Sequence, residues 1–561
     1  MKKIILILSV FLLIGCDDFL DTESKTKKDS SNFPETPDDA DQYLTGAYAE
    51  LTDTYPLQLL FYAGELMSDN CLGGGGSSDT DCKDINNFQS NGKVDRFRNA
   101  WKHNYKGIFR CNNLITNMYR ISWGESEAEL ARKSRITGEI HFLRAHYYFD
   151  MVRLFERVPL VLTPEPVNLP QATPDELYAQ IASDLKLSIE SLSDTKYSTE
   201  YSELHSGRIT KWAAEGMMAK VFLFYTGYYQ KETLPLTNGE EITKAQVIDW
   251  LVDCIDNSGH KLVDDFRTLW PYSYIQKDYN YVKKNKIGTW VKDGNIETVF
   301  SVKYSSIQGS WDDINKRTNQ VCLYYGPRSG GPDNYFEATY PLGRGWGQGT
   351  VNSKLFEDWP DEDLRKKGSI LDITDPIENI WTDPIVPTYY MWGADSQEEE
   401  TGLWNKKYVP INKDRIAPTN YNIELYGAVS DYQWNNLQDL VIMRFADILL
   451  MAAELGAPEA KQYLNMVRQR AGYTDEVEPT LENIMNERRF ELAFEGVRYY
   501  DLLRWHKTDL LDSNQKNIKV KNQGVDATVT VNFRPETRGF LPIPEAEIAL
   551  SNNVLTQNQG W

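Results

Sequence analysis

A chain of 561 residues exceeds one ordinary hydrophobic core, so at roughly 150 residues per domain it should build several packed layers or lobes. With 41% apolar and 25% charged residues its composition is globular, which excludes disorder and collagen-like repetition. Sixty Lys and Arg against 81 Asp and Glu give a net charge of −21, a field that repels phosphates, so no nucleic-acid partner is expected.

The chain opens with Met1-Lys2-Lys3, then the apolar run Ile4 to Ile14, then Gly15-Cys16. That run is shorter than the ~20 residues a helix needs to span a bilayer, so residues 1–15 read as a signal peptide. Leu13-Ile14-Gly15-Cys16 resembles the lipobox of bacterial lipoproteins, which implies cleavage before a diacylated Cys16 and a membrane held by lipid. Asp17-Asp18 resembles the acidic signal that sends lipoproteins of the Bacteroidetes to the cell surface. Residues 16–37 are polar and read as a flexible tether. Five further cysteines remain, an odd number in an oxidising compartment. Cys71 and Cys82, which flank a glycine-rich loop, are the best-placed pair, with two free thiols as the alternative.

Folded structure is expected from Asp38, in a helical region over 38–260. A helix is expected to start near Trp101. Ile136, Ile140, Leu143, Tyr147, Met151 and Leu154 recur at spacings of three and four, one stripe on a long helix that Pro159 stops. Thr173-Pro174-Asp175-Glu176 caps a helix through Leu192, and Thr210 to Tyr229 is a further amphipathic helix. Residues 271–436 shift to Gly, Pro, Tyr, Trp and Asn and read as an irregular aromatic-rich lobe, with a strand at Glu297 to Tyr304 and a loop at Gly343 to Gly349. In 437–561, Leu440 to Leu455, Pro458 to Ala471 and Leu481 to Trp505 read as helices, with Gly456 and Gly472 as stops. Helix pairs of roughly 32 to 35 residues suggest tetratricopeptide-like units. The expected fold class is mainly α: helix pairs forming a body, with a loop-rich lobe.

Six segments in order resemble the SusD/RagB family of Bacteroidetes outer-membrane lipoproteins: CDDFLD (Cys16 to Asp21), RAHYYFDMVRLFERVPLV (Arg144 to Val161), ITKWAAEGMMAKVFLFYTGYY (Ile209 to Tyr229), VIMRFADILLMAAE (Val441 to Glu454), ERRFELAFEGVRYYDLLRW (Glu487 to Trp505) and FLPIPEAEIALSNNVLTQNQGW (Phe540 to Trp561). The resemblance implies a SusD-like fold that binds glycans, or sometimes peptides, at the cell surface without catalysis. It also implies a partner, a SusC-like TonB-dependent transporter that the lipoprotein caps.

A glycan site needs aromatic faces for sugar rings and planar polar groups for vicinal hydroxyls. Leu66 to Phe88 offers Asp69, Asn70, Asp81, Asp84 and Asn86 around the glycines 73–76. The resemblance implies that these loops, just before the helix near Trp101, line the site. The lobe offers Trp311, Cys322, Tyr324, Tyr325, Arg328 and Trp346. Tyr147, Tyr148, Phe222 and Phe224 sit on helical stripes and read as core. Asp79, Asp81 and Asp84 could hold a structural Ca²⁺, although the Gly and distal Glu of an EF-hand loop are absent; no other cofactor is expected. His141 and His146 are separated by about 140° around a helix and cannot share a metal. No nucleophile elbow or phosphate loop occurs. The rival readings are a lipid-anchored glycoside hydrolase, needing two carboxylates ~5 to 9.5 Å apart, and a helical scaffold gripping peptide.

Overall fold

A computed structural model describes residues 33–52, 56–200, 207–275, 278–304, 317–328, 341–378, 396–412, 421–428 and 433–561. The signal segment, Cys16, most of the tether and Trp311 lie outside the described residues. The body is built of antiparallel helices: α1 (Pro37–Leu51), α2 (Pro56–Leu66), α3 (Asp95–Asn117), α4 (Glu127–Phe155), α5 (Pro174–Ser191) and α6 (Lys211–Tyr229). Each of α3 to α6 packs on its neighbour in sequence or on α1. Their ends follow local chemistry. Thr173 and Glu176 form a reciprocal capping box at α5, and the Thr210 hydroxyl accepts from the Ala213 N–H at α6. The long helix begins nine residues before its apolar stripe, because Ser126 caps it and Glu127 and Glu129 suit the positive end of the dipole.

The strand expected in the lobe is present as β1 (Thr298–Val302), followed by the one-and-a-half-turn helix α7 (Gln320–Tyr325). Its partner corrects the reading of Leu440 to Leu455 as one helix. Leu440–Arg444 is strand β2, antiparallel to β1 with Val302 opposite Leu440, and only Phe445–Glu454 is helical (α8). Two β-branched residues in that five-residue run fit a pleated surface as well as a helix, and the long-range ladder decides the choice. Helices α9 (Ala460–Arg470), α10 (Leu481–Glu491) and α11 (Arg498–Arg504) follow, with Gly456 and Gly472 at positive φ as stops, and after a hairpin of Ile518–Asn522 with Val525–Val529 comes α12 (Glu545–Leu550).

The expected helix over Leu481 to Trp505 is therefore broken in two. Gly496 takes φ +75° in the break and its N–H donates to Glu65 at 2.7 Å. A Cβ on Gly64 would lie 2.2 Å from the Gly496 carbonyl oxygen, so α2 and the break touch backbone to backbone. Tyr147, Tyr148, Phe222 and Phe224 are buried core, and His141 pairs with Asp184 at 2.6 Å. The expected Cys71–Cys82 disulfide is absent: both thiols are free and buried, as are Cys111, Cys254 and Cys322. Cys71 bridges to Val351 through its backbone, while the Cys82 thiol donates to the Asp79 and Gly74 carbonyls.

Charged groups that would pass for a solvated face are buried beneath the lobe. Glu491, on α10, meets Arg444 at 2.7 Å and Arg365 at 2.9 Å, and is bonded by Arg470 as well. Arg444 also binds Glu297 and Glu495, and Lys407 binds Glu495 at 2.7 Å. Burial opposes ionisation of Glu491, but the three guanidinium charges outweigh it and hold its carboxyl well below the usual range. A second clasp joins Asp69 to Arg498 at 2.7 Å and Arg489 at 3.1 Å.

Candidate functional site

Residues 343–349, Gly-Arg-Gly-Trp-Gly-Gln-Gly, form an irregular ribbon with Gly347 and Gly349 at positive φ. Its N–H groups at 345, 346, 347 and 348 donate to the carbonyls of Pro327, Leu323, Gly326 and Tyr324, so the ribbon lies along α7 and the turn after it. Every second residue is glycine because that side meets other parts of the chain at contact distance. A Cβ on Gly345 would sit 2.3 Å from the Gly326 Cα, and one on Gly343 would sit 2.6 Å from Pro410 Cβ. Arg344, Trp346 and Gln348 carry the side chains between those glycines. Arg344 and Trp346 are half-buried there, whereas Gln348 is buried and accepts from the Tyr62 hydroxyl at 2.6 Å.

The Trp346 ring rests on Tyr324, with centroids 5.5 Å apart and planes inclined by 49°. The Arg96 guanidinium, from the first turn of α3, lies 4.5 Å from the centre of the Tyr62 ring and 5.0 Å from that of Tyr324. The glycine loop 73–76 meets the ribbon directly: Gly75 N–H donates to Gly347 O at 2.6 Å and Gly349 N–H to Gly73 O at 2.9 Å. Arg328 bonds Asp79 at 2.9 Å and also the Trp346 carbonyl, which ties the two segments from outside. The two regions singled out in the sequence, 66–88 and the lobe, are thus one surface.

Within that surface the individual residues divide. Trp346 and Arg328 come together, half-buried; Tyr324, expected to touch a ligand, is 2% exposed and lies under the indole as its support. Asp69 and Asn70 are fully buried: Asp69 is committed to Arg489 and Arg498, whose charges overcome the opposing effect of burial and hold its carboxyl below the usual range, while Asn70 accepts from Arg489. Cys322 faces Gln438 and Tyr325 donates to the Tyr62 carbonyl, both in the interior. Trp101 packs on Tyr105 and Phe155 in the helical body. None of these five offers a ligand more than a sliver of surface: Asp69, Asn70, Cys322 and Tyr325 lie beneath the site, and Trp101 belongs to the helical body. Asp81 is exposed and Asp84 half-buried on a short helix, Thr80–Asn86, while Asp79 is turned to Arg328 and the Gly76 N–H. That arrangement does not converge on an ion, and no group of three His, Cys, Asp or Glu side chains placed for a metal occurs among the described residues. Arg96, Arg344, Tyr62 and Gln348 escaped the sequence reading. The signal for two of them was the run of alternating glycines at 343–349, which marks a backbone held in close contact with its surroundings and leaves 344, 346 and 348 to supply the side chains.

A half-buried indole with guanidinium groups near it can stack its open face on the apolar face of a sugar ring while the guanidinium groups donate to adjacent hydroxyls. Because the ribbon tolerates no Cβ on its inner side, Gly345→Ala is expected to cost ~1–3 kcal/mol, the range for forced overpacking. A lower urea midpoint at unchanged slope would show it; an unchanged midpoint would mean that the ribbon is not held against Gly326.

The chain resembles known proteins throughout. A model described as the SusD family matches residues 296–561, and one described as starch-binding associating with outer membrane matches residues 18–223. The SusD-like protein P2 of Formosa agariphila is 25% identical over 100% of this chain and 99% of its own, and a SusD-like protein of Bacteroides ovatus is 23% identical over 75% of this chain and 67% of its own. Among solved structures, a laminarin binding SusD-like protein superposes with a TM-score of 0.70 at 26% identity, covering 94% of this chain and 100% of that one. Surface glycan-binding protein A from Bacteroides thetaiotaomicron, in complex with laminarihexaose, gives 0.70 at 22% identity over 93% and 99%. The chain belongs to the SusD-like family, and its mainly helical body with an irregular lobe is the SusD-like fold.

Proposed function

We propose that this protein binds oligo- or polysaccharide at the cell surface without cleaving it and passes it to a SusC-like TonB-dependent transporter for uptake. The observation that carries the reading is the Trp346 ribbon: an aromatic face braced by Tyr324 and edged by Arg96, Arg344 and Arg328, where the chemistry of sugar recognition is assembled on rigid backbone. The laminarin binding relative, alike over nearly its whole length, supports glycan as the ligand class. In the same reading residues 1–15 are removed, Cys16 carries the lipid, and residues 16–37 tether the body to the outer membrane, in keeping with the description of the model that matches residues 18–223. Confinement to that membrane raises the effective concentration of the transporter, so a modest interface suffices. Asp79, the carboxylate bonded to Arg328 at the ribbon, is paired, which does not favour a general acid there.

The test is binding of the purified mature protein to a panel of plant, microbial and host polysaccharides that includes laminarin, with release of reducing ends followed in parallel. Binding to at least one glycan with no release is expected. Release of shorter oligosaccharides would replace the reading with a hydrolase, and binding of peptides in place of glycans would replace it with a peptide receptor.

A further inference from the structure

The residue that carries the indole of the ribbon is held at both of its peptide groups. The Trp346 N–H donates to the Leu323 carbonyl at 2.7 Å, and the Trp346 carbonyl accepts from the Arg328 guanidinium. The second bond matters because the next residue is Gly347, at φ +69°, and a glycine in the left-handed region lets the peptide before it turn over at little cost. The Gly347 N–H reaches the Gly326 carbonyl at 2.9 Å, so the backbone fixes one end of that peptide and Arg328 fixes the other.

Arg328 is in turn fixed from the glycine loop. Its Nη1 also donates to Asp79 Oδ2 at 2.9 Å, and the same carboxylate oxygen accepts from the Gly76 N–H at 2.7 Å. Asp79 closes a turn on Gly76 by returning its own N–H to the Gly76 carbonyl at 3.0 Å. The Arg328 side chain lies against both segments: a Cβ on Gly76 would sit 3.0 Å from Arg328 Nη2, and one on Gly347 would sit 2.9 Å from Arg328 Cβ. With side chains 17% and 28% exposed, Arg328 and Asp79 are shielded enough for a charged bond to keep its geometry, unlike a pair in open water.

We infer that Arg328 is a positioning residue for Trp346, oriented by Asp79, which serves glycan binding through the direction of the indole and not by touching sugar; this rests on the binding face proposed above. A guanidinium presents its donors in a fixed plane, so one side chain can serve the Asp79 carboxylate and the Trp346 carbonyl together, a task that the flexible ammonium of lysine performs less rigidly. The direction of a side chain follows the backbone torsions on either side of its Cα. Two bonded peptides therefore aim the indole, and Tyr324 beneath it sets the seat of the ring.

The experiment compares Arg328→Lys, Arg328→Met and Asp79→Asn, each alone and combined with Trp346→Ala, in titrations with a glycan that binds the wild type, while thermal midpoints report folding. Alone, each change should weaken binding by about three- to tenfold, less than loss of the ring itself. With the ring gone the same changes should add less than about 1.5-fold, because a residue that acts through Trp346 has nothing left to act on. An equal loss in both backgrounds would make Arg328 a sugar contact and overturn the inference, as would unchanged affinity in the folded single variants. A second readout needs no ligand. In protein labelled with 5-fluorotryptophan, the fluorine resonance of Trp346 is the one among 15 indoles that Trp346→Phe removes. Asp79→Asn and Arg328→Lys should move or broaden that line selectively, and an unmoved line overturns the positioning role whether or not any glycan binds. A moved line, with affinity unchanged by Trp346→Ala, would uphold the positioning role and remove the ribbon from the proposed binding face.

Discussion

Replacing Trp346 by alanine is expected to weaken glycan binding by ~1.5–3 kcal/mol, about 10- to 150-fold, the loss typical of an aromatic anchor. The ribbon that carries the ring is held by main-chain bonds to residues 323–327 and 410, none of which uses the indole, and by inward glycines that the substitution leaves alone. The binding face should therefore lose its platform and keep its shape. The unfolding midpoint should move little, because the ring is only half-buried and its support, Tyr324, is anchored independently in α7. Trp346→Phe should recover part of the loss, since a smaller ring still offers a face. Titration calorimetry with a glycan that binds the wild type decides the matter: equal affinity for wild type and Trp346→Ala would move the binding face elsewhere.

Glu491→Gln is expected to have the largest effect on stability, ~3–5 kcal/mol, because it leaves Arg444, Arg365 and Arg470 around a neutral amide in a fully buried site. The exposed pairing of Lys461 with Glu476 provides the contrast, and Glu476→Gln should cost ~0–1 kcal/mol. Acid gives an independent signature. The folded-state carboxyls of Glu491 and Asp69 lie below their unfolded values, so the unfolded chain takes up protons first as pH falls. Their contribution is present in full above about pH 4.5, near the ordinary carboxylate range, and is lost progressively below it. Urea midpoints from pH 7 to pH 3 should fall for the wild type, and less steeply for Glu491→Gln; parallel curves would mean that this carboxylate is not the group being titrated.

Legibility in the sequence followed the range of the interactions. Helix ends set by neighbours, such as the Thr173–Glu176 box and the Thr210 cap, could be read directly, as could the strand at Thr298–Val302. Elements decided by distant partners could not. Leu440–Arg444 is an apolar run compatible with either period until β1 is laid beside it. The break after Glu491 follows from the contact of Gly496 with α2, some 430 positions earlier in the chain. The candidate face was legible in kind, since Trp346 and Arg328 were singled out, but its depth was not: no local pattern tells that Asp69 faces two arginines or that Tyr324 and Tyr325 are buried. The run Glu487-Arg488-Arg489 reads like a solvated helix face, yet all three are buried among countercharges that arrive from other segments.

The Asp69 clasp also settles how the molecule bears force. It ties residues 429 positions apart, just beneath the glycine loop that braces the ribbon. The stretch matched by one family model is thereby tied to the stretch matched by the other by buried charged bonds. Tension arriving through α1 passes by way of α3 and α2 into the clasp and on to α10 and α11, where it is shared by several charged bonds loaded side by side. Bonds loaded in parallel must fail together, so the candidate face should keep its geometry under a pull on the N-terminal end.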